Sequence, residues 1–468
     1  MNNLMPRRIE KDLIGEMDIS EQHYYGIQTA RALDNFNLSQ SKLNHYPLFI
    51  QALAMVKLAC AQANYQLNQL NRQKYSAIEY ACSEIIAGRH HSQFALDMLQ
   101  GGAGTSTNMN INEVIANLGL EYLGHTKGQY QFLHPNNDVN MAQSTNDVYP
   151  SAIKLALLLF CDQLDEPFQA LISSLEQKAE TYKQIVKMGR TQLQDAVPMT
   201  LGQEFGAFAD TLRKDLQLLH SSTLQGLYQI NLGGTAIGTG LNASSEYRIL
   251  AVQALAEISG KPVQSASNLI EATSDMGDFV LLSGLLKRTA TKLSKIANDL
   301  RLLSSGPRTG FSEILLEPRQ AGSSIMPGKV NPVIPEAMNL ACFQVIANDL
   351  AVTLAADAGQ LQLNAMEPLI AFKLFESIEI LGNAMQMFQT KCIDTLRANP
   401  ERCLELVENS IGIITALNPY LGYETTARLA KTAFLQGSSV LELIEAEKLI
   451  PADQIQQLLS VEQMTQLA

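Results

Sequence analysis

Apolar side chains along residues 277–303 recur at a fixed interval. Leu282, Leu286, Thr289, Leu293, Ile296, Leu300 and Leu303 follow one another at spacings of 4, 3, 4, 3, 4 and 3. That alternation puts them along one side of a helix and sustains a bundle seam for three heptads. The run stops at Ser304-Ser305-Gly306-Pro307, where glycine and proline end a helix. Long helices are also predicted at about 151–183 and 201–230, and a shorter one rich in Ala, Leu and Ile at 48–68. At 1.5 Å per residue, helices of this length reach roughly 40 Å or more. Helices of that length do not bury all their apolar surface inside one monomer, so their seams are expected to meet equivalent helices of other subunits.

The ends of the chain read differently. The first 145 residues are mixed, with strand-like pieces around YYGIQTARAL at 24–33 ahead of helical segments. No Gly-x-Gly-x-x-Gly follows a strand, which excludes a Rossmann-type nucleotide fold. From about residue 402 the helical pieces shorten and are expected to break at Asn418-Pro419, Gly422 and Pro451. The fold class is therefore mostly α, in three domains: 1–145, 146–401 with a long helical bundle, and 402–468 as a small helical cap.

Four polar segments interrupt the helices. Residues 321–332 read AGSSIMPGKVNP, where Pro327 and Pro332 forbid a helix and Gly322 and Gly328 loosen the backbone. Residues 101–110 are GGAGTSTNMN and 143–147 are QSTND, each placing hydroxyl and amide groups at the start of a helix. Free N–H groups and the positive dipole end make such places anion cradles. A fourth segment, GRTQLQDAVP at 189–198, puts Thr191 and Gln192 between two helices. Taken singly, each reads as an ordinary cap or turn; their joint occurrence at breaks of one bundle is the signal.

Composition narrows the partners. With 468 residues the chain exceeds one ordinary core, and its formal net charge of −12 argues against nucleic acid or an anionic membrane. A small anionic substrate stays open, because one site can be positive on an acidic protein. The 6 cysteines have no Cys-x-x-Cys spacing, as in a protein with reduced thiols, and the 7 histidines have no metal-ligand spacing. The N-terminus lacks the apolar run of a signal peptide, and no uninterrupted apolar stretch approaches the ~20 residues that span a bilayer. A cytoplasmic location is expected.

Together the four segments resemble the fumarase/aspartase superfamily, from about residue 9 to the C-terminus, and GSSIMPGKVNP is that superfamily's signature. The resemblance implies a homotetramer around a twenty-helix core, with each active site shared by three subunits. It implies reversible elimination yielding fumarate, without a required cofactor and without a metal site; magnesium activates some relatives. Ser323 then matches the general base for the β-proton. Thr105, Ser144, Thr145 and Ser324 surround the carboxylate that becomes an enediolate. Thr191, Lys329 and Asn331 clamp the other carboxylate, and Asn146 faces the leaving amine.

Gln192 chooses the leaving group. Fumarases resemble GRTHLQDA here, with a histidine that serves the water step; this chain has TQLQDA. Hydroxide needs a proton delivered to it, whereas an ammonium group already carries its proton and leaves as neutral ammonia. The resemblance therefore implies elimination of ammonia from L-aspartate. Glu336, which matches the partner of the fumarase histidine, loses that role. NPVIPEAMN at 331–339 and GQLQLNAMEP at 359–368 resemble the ammonia-eliminating branch. HPNNDVN at 134–140 instead resembles a fumarase segment that builds a second carboxylate site. It reads either as a structural turn or as a secondary anion site on His134, Asn137 and Asp138. Fumarate hydratase and a non-catalytic superfamily scaffold are the alternative readings of the whole chain.

Overall fold

The structure is a computed structural model that describes residues 6–458 and 460–465. In chain order it begins with β1 (Arg7–Lys11), β2 (Glu16–Ser20), α1 (Ile27–Asn35), α2 (Pro47–Gln66), α3 (Arg72–Ile86) and α4 (Thr105–Tyr122). Next come α5 (Thr145–Thr181), β3 (Val186–Thr191), β4 (Gln194–Thr200), α6 (Leu201–Leu218), α7 (Leu224–Leu227), β5 (Gln229–Ile230) and α8 (Ser245–Ser259). Then follow β6 (Gln264–Ser265), α9 (Glu271–Ser274), α10 (Gly277–Leu303), β7 (Ile314–Leu315), α11 (Val333–Asp357), α12 (Glu367–Phe388) and β8 (Arg397–Ala398). Short helices close the chain: α13 (Pro400–Glu408), α14 (Ile414–Leu421), α15 (Tyr423–Gln436), α16 (Val440–Ala446), α17 (Ala452–Leu458) and α18 (Val461–Thr465). The strands form two-stranded pairs only, β1 with β2, β3 with β4, β5 with β6 and β7 with β8.

Two compact units share these elements, and α5, α6, α10, α11 and α12 each have residues in both. The first unit holds residues 1–164, 217–288 and 344–380. In it α2 packs on α3 and α8, and Phe49, Ile50, Leu53 and Val56 are fully buried. The second unit holds 165–216, 289–343 and 381–468. Its β3–β4 hairpin carries Met188 into an apolar cluster with Val407, Leu417, Leu429 and Ile444.

The heptad seam read from the sequence is real. α10 spans 277–303, and all seven of its seam residues are buried within the chain. They are thus already covered, which corrects the expectation that this seam waits for another subunit. An uncovered apolar stripe lies on α11. Leu340, Phe343, Ala347, Leu350 and Leu354 follow a strict 3-4-3-4 spacing, and all five are exposed. α11 is also long and apolar enough to cross a membrane by length and composition, a feature not singled out above.

Two local expectations change. The segment around 24–33 is helical from Ile27, not strand-like. Its N-terminal N–H groups are met by acids far away in sequence. Glu113 accepts the N–H of Gly26 at 2.8 Å, of Gln28 at 2.8 Å and of Thr29 at 3.1 Å, while Glu10 accepts that of Ile27 at 2.9 Å. Gly26 allows this approach, since a Cβ there would lie 2.6 Å from the Glu10 carboxylate. Asn418-Pro419 does not break the chain either: Pro419 sits inside α14, which ends at Gly422 with φ 74°. A proline there removes one helical hydrogen bond, and its neighbours Ile414 and Leu417 hold the helix by burial in the apolar cluster.

Candidate functional site

Ser144 begins the first cluster with a capping box. Its Oγ accepts the N–H of Asn146 at 3.2 Å, and Asp147 Oδ1 accepts the N–H of Ser144 at 3.0 Å. The other carboxylate oxygen of Asp147 accepts the N–H groups of Gly233 and Thr235, both at 3.0 Å. Burial pushes the Asp147 carboxyl up to about 6, against those three N–H donors, which favour its anion. Asn146 Nδ2 donates to the carbonyl of Ala236 at 2.7 Å, and its own carbonyl accepts Asn231 Nδ2 at 2.9 Å. The turn 143–147 is therefore fixed on every side by the first unit.

α4 brings a second helix start to the same place. Gly102, Ala103 and Gly104 have φ of 91°, 55° and 86°, and the helix opens at Thr105. Gly104 lies against the Tyr149 ring, where an added Cβ would sit 2.5 Å from ring carbons, so no other residue fits. One turn into α4, Asn108 Nδ2 donates to Thr145 Oγ1 at 3.2 Å. The first turns of α4 and α5 thus meet, with Thr105 exposed and Ser144, Thr145 and Asn146 partly so. Four of the sequence-derived site residues share one region of positive helix ends.

The others lie in the second unit. Residues 321–332 form a turn closed on itself: Gly322 N donates to the carbonyl of Lys329 at 3.0 Å, and Asn331 Nδ2 donates to the carbonyl of Gly322 at 2.7 Å. An added Cβ at Gly322 would meet the Lys329 carbonyl oxygen at 2.4 Å. Ser323 Oγ accepts two backbone N–H groups, those of Ile325 and Met326, each at 3.2 Å. Ser324 and Lys329 are exposed. Lys329 and Asn331 line a cavity of about 870 Å³ with Asn298, Arg301 and Glu336.

Thr191 and Gln192 sit at the tip of the β3–β4 hairpin, a context not read from the sequence. Thr191 pairs with Gln194, so Gln192 and Leu193 form a two-residue turn, with φ of 56° and 62°. Such mirror-type turns normally take Asn-Gly or Gly-Gly; here two ordinary side chains accept the left-handed backbone and stand exposed. A buried ion cluster holds the strand beneath. Glu313, fully buried, takes Arg190 at 2.7 Å and Lys187 at 2.9 Å, and Lys187 also reaches Glu204 at 2.6 Å. The Arg190 guanidinium lies 4.2 Å from the Phe311 ring centroid. The tip is not on the wall of the Lys329 cavity.

The HPNNDVN segment closes internally. His134 Nδ1 accepts the N–H groups of Asn136 and Asn137 at 3.0 and 3.2 Å. Asp138 accepts the N–H of His134 at 2.8 Å and Lys74 Nζ at 2.7 Å. Burial, then the nearby Lys74 charge, outweigh Asp138 and lower the His134 pKa.

Residues 15–347 match the family model described as Lyase, and residues 413–466 match the one described as Fumarase C C-terminus. The chain belongs to the fumarase/aspartase superfamily. An aspartate ammonia-lyase of Pseudomonas aeruginosa is 61% identical over 99% of this chain and 98% of its own length. Those of Helicobacter pylori and Escherichia coli are 53% and 50% identical, each over 98% of this chain and 97% and 96% of their own length. A fumarate lyase:delta crystallin from Brucella melitensis bound to cobalt superposes with a TM-score of 0.96 at 53% identity, over 99% of this chain and 100% of that chain. A recombinant class II fumarase from Schistosoma mansoni superposes at 0.91 with 34% identity, over 98% of each chain.

Within this superfamily member, sequence reading overlooked the groups behind the Ser144 turn: Lys57, Asn108, Asn140 and Asp147. Only Lys57 left a signal, as a single charge inside the apolar run ALAMVKLACA.

Proposed function

We propose that the chain eliminates ammonia from L-aspartate to give fumarate, reversibly and with no required cofactor. Gln192 carries this reading. Its amide cannot deliver the proton that a departing hydroxide needs, and it stands exposed at the hairpin tip. The curated relatives with 50–61% identity are aspartate ammonia-lyases, which agrees.

The chemistry follows from the two clusters. Ser323 removes the β-proton; the two N–H groups on its Oγ stabilise the alkoxide that a serine base requires. The dianionic enediolate then falls to donors that are already oriented, each worth about 3–4 kcal/mol. Thr105, Ser144, Thr145 and Ser324 supply these, while Thr191, Lys329 and Asn331 hold the second carboxylate and Asn146 faces the amine. Water exclusion comes with closure of the 321–332 turn. The same reading makes the protein a cytoplasmic homotetramer in which three subunits complete each site; the exposed α11 stripe supports association with other copies. The three-domain division at 145 and 401 belongs to the same reading.

Fumarate absorbs in the ultraviolet, so two cuvettes test the proposal. Absorbance rises with L-aspartate and stays flat with malate. A rise with malate alone establishes a hydratase instead.

A further inference from the structure

Lys57 is wholly buried in α2, yet no carboxylate lies within ion-pairing distance of it among the described residues. Its ammonium donates to two neutral amides, Asn140 Oδ1 at 2.9 Å and Gln143 Oε1 at 2.8 Å. Desolvating a charge with only amide partners is expensive, and an apolar residue of equal length would avoid that cost. The position of Lys57 suggests what offsets it. Asn140 Oδ1 also accepts Asn108 Nδ2 and Asn112 Nδ2, each at 3.2 Å, so three donors converge on one oxygen and fix that amide's orientation. Asn108 Nδ2 in turn donates to Thr145 Oγ1. A threonine hydroxyl that accepts from behind has its single proton left to give forward. The buried Asp147 carboxylate caps the same turn and, uncompensated, would repel an arriving anion.

We propose that Lys57 is a positioning residue for the reaction: acting through Asn140 and Asn108, it aims the Thr145 hydroxyl outward and offsets the Asp147 charge, so that the Ser144–Asn146 turn accepts a substrate carboxylate. The proposal rests on the reading of that turn as a carboxylate site. Cys60 on the same helix, Cys82 on α3 and Asp147 on α5 are the other titratable groups facing the ammonium.

Lys57→Met in the full-length chain tests it by steady-state kinetics, inhibition by succinate and thermal melting. Taking the charge to act over roughly 8 Å at an effective dielectric near 20, the loss of kcat/KM is roughly 30-fold. Because charge grows toward the enediolate, kcat takes the larger share, the succinate inhibition constant rises, and the melting temperature does not fall. Asn108→Leu, which removes the donor to Thr145, shows the same pattern with a smaller loss, and the double variant loses less than the product of the two. Unchanged kinetics in both single variants overturn the proposal; should Lys57→Met fail to fold, Asn108→Leu alone decides. Thr145→Val separates the two layers. If it impairs turnover and succinate binding while Lys57→Met and Asn108→Leu do not, only the relay is wrong. If it changes neither, the turn is not a carboxylate site and both readings fall.

Discussion

The Ser144–Asn146 turn and the Ser323–Asn331 turn carry the same kinds of side chain but are held in opposite ways. The first is fixed by distant chain: Asn108, Asn231, Gly233, Thr235 and Ala236 all bond it or its capping Asp147. The second is closed largely by bonds between its own members, and residues 324–330 are exposed throughout. A site that stabilises developing charge gains from donors that do not reorganise. A site that must admit substrate and then exclude water gains from a segment that opens at little cost. The chain assigns these demands to separate places.

Removing the base should give the largest effect. Ser323→Ala is expected to cost at least about 10³-fold in kcat, while succinate inhibition stays within about threefold, because the rigid turn still binds. Loss of succinate binding would show that the two turns are not separable. Gly322→Ala comes next. Its methyl group collides with the Lys329 carbonyl, so the turn loses its Gly322–Lys329 bond, Ser323 and Lys329 shift, and kcat falls roughly 100-fold, with the melting temperature within a few degrees of the parent. A large drop in melting temperature would instead mean that the loop is part of the structural core.

Gln192→Gly probes the strained tip with a mixed outcome. Relieving the left-handed backbone stabilises the fold by about 1 kcal/mol, read as a higher denaturation midpoint, and kcat/KM falls several-fold as the amide is lost. The smallest effect is a control at a carboxylate whose bonds go to neither turn. Asp97 is buried, which raises its pKa, yet the N–H and hydroxyl of Ser39, then Leu99 and Lys42, outweigh this and hold it at about 2, below its ordinary 3.8. Its contribution to stability is complete above pH 3.8 and disappears as pH falls through about 2. Asp97→Asn should flatten acid unfolding in that window while turnover at neutral pH stays within about twofold of the parent.

Much of this was legible along the chain where one period or one cap decides the outcome. The seam from Leu282 to Leu303 gave α10 its bounds, and QSTND at 143–147 reads as the cap of a helix. Elsewhere the deciding partner is remote. Nothing near Ile27 announces a helix whose N–H groups are met by Glu113, and Gln192-Leu193 lacks the glycine that marks a hairpin. α5 starts at Thr145, earlier than its apolar pattern, and continues past Pro150 and Pro167, which sequence rules treat as obstacles. Lys57 is the sharpest case, since its meaning lies in Asn140 and Asn108, more than forty positions away.

The α11 stripe has a practical consequence for handling the protein. A lone subunit in dilute buffer exposes Leu340, Phe343, Ala347, Leu350 and Leu354 along one line, a surface that sticks to plastic, detergent and misfolded neighbours alike. Recovery from denaturant should therefore peak at an intermediate concentration, where encounters between folded copies outpace both dilution and clumping.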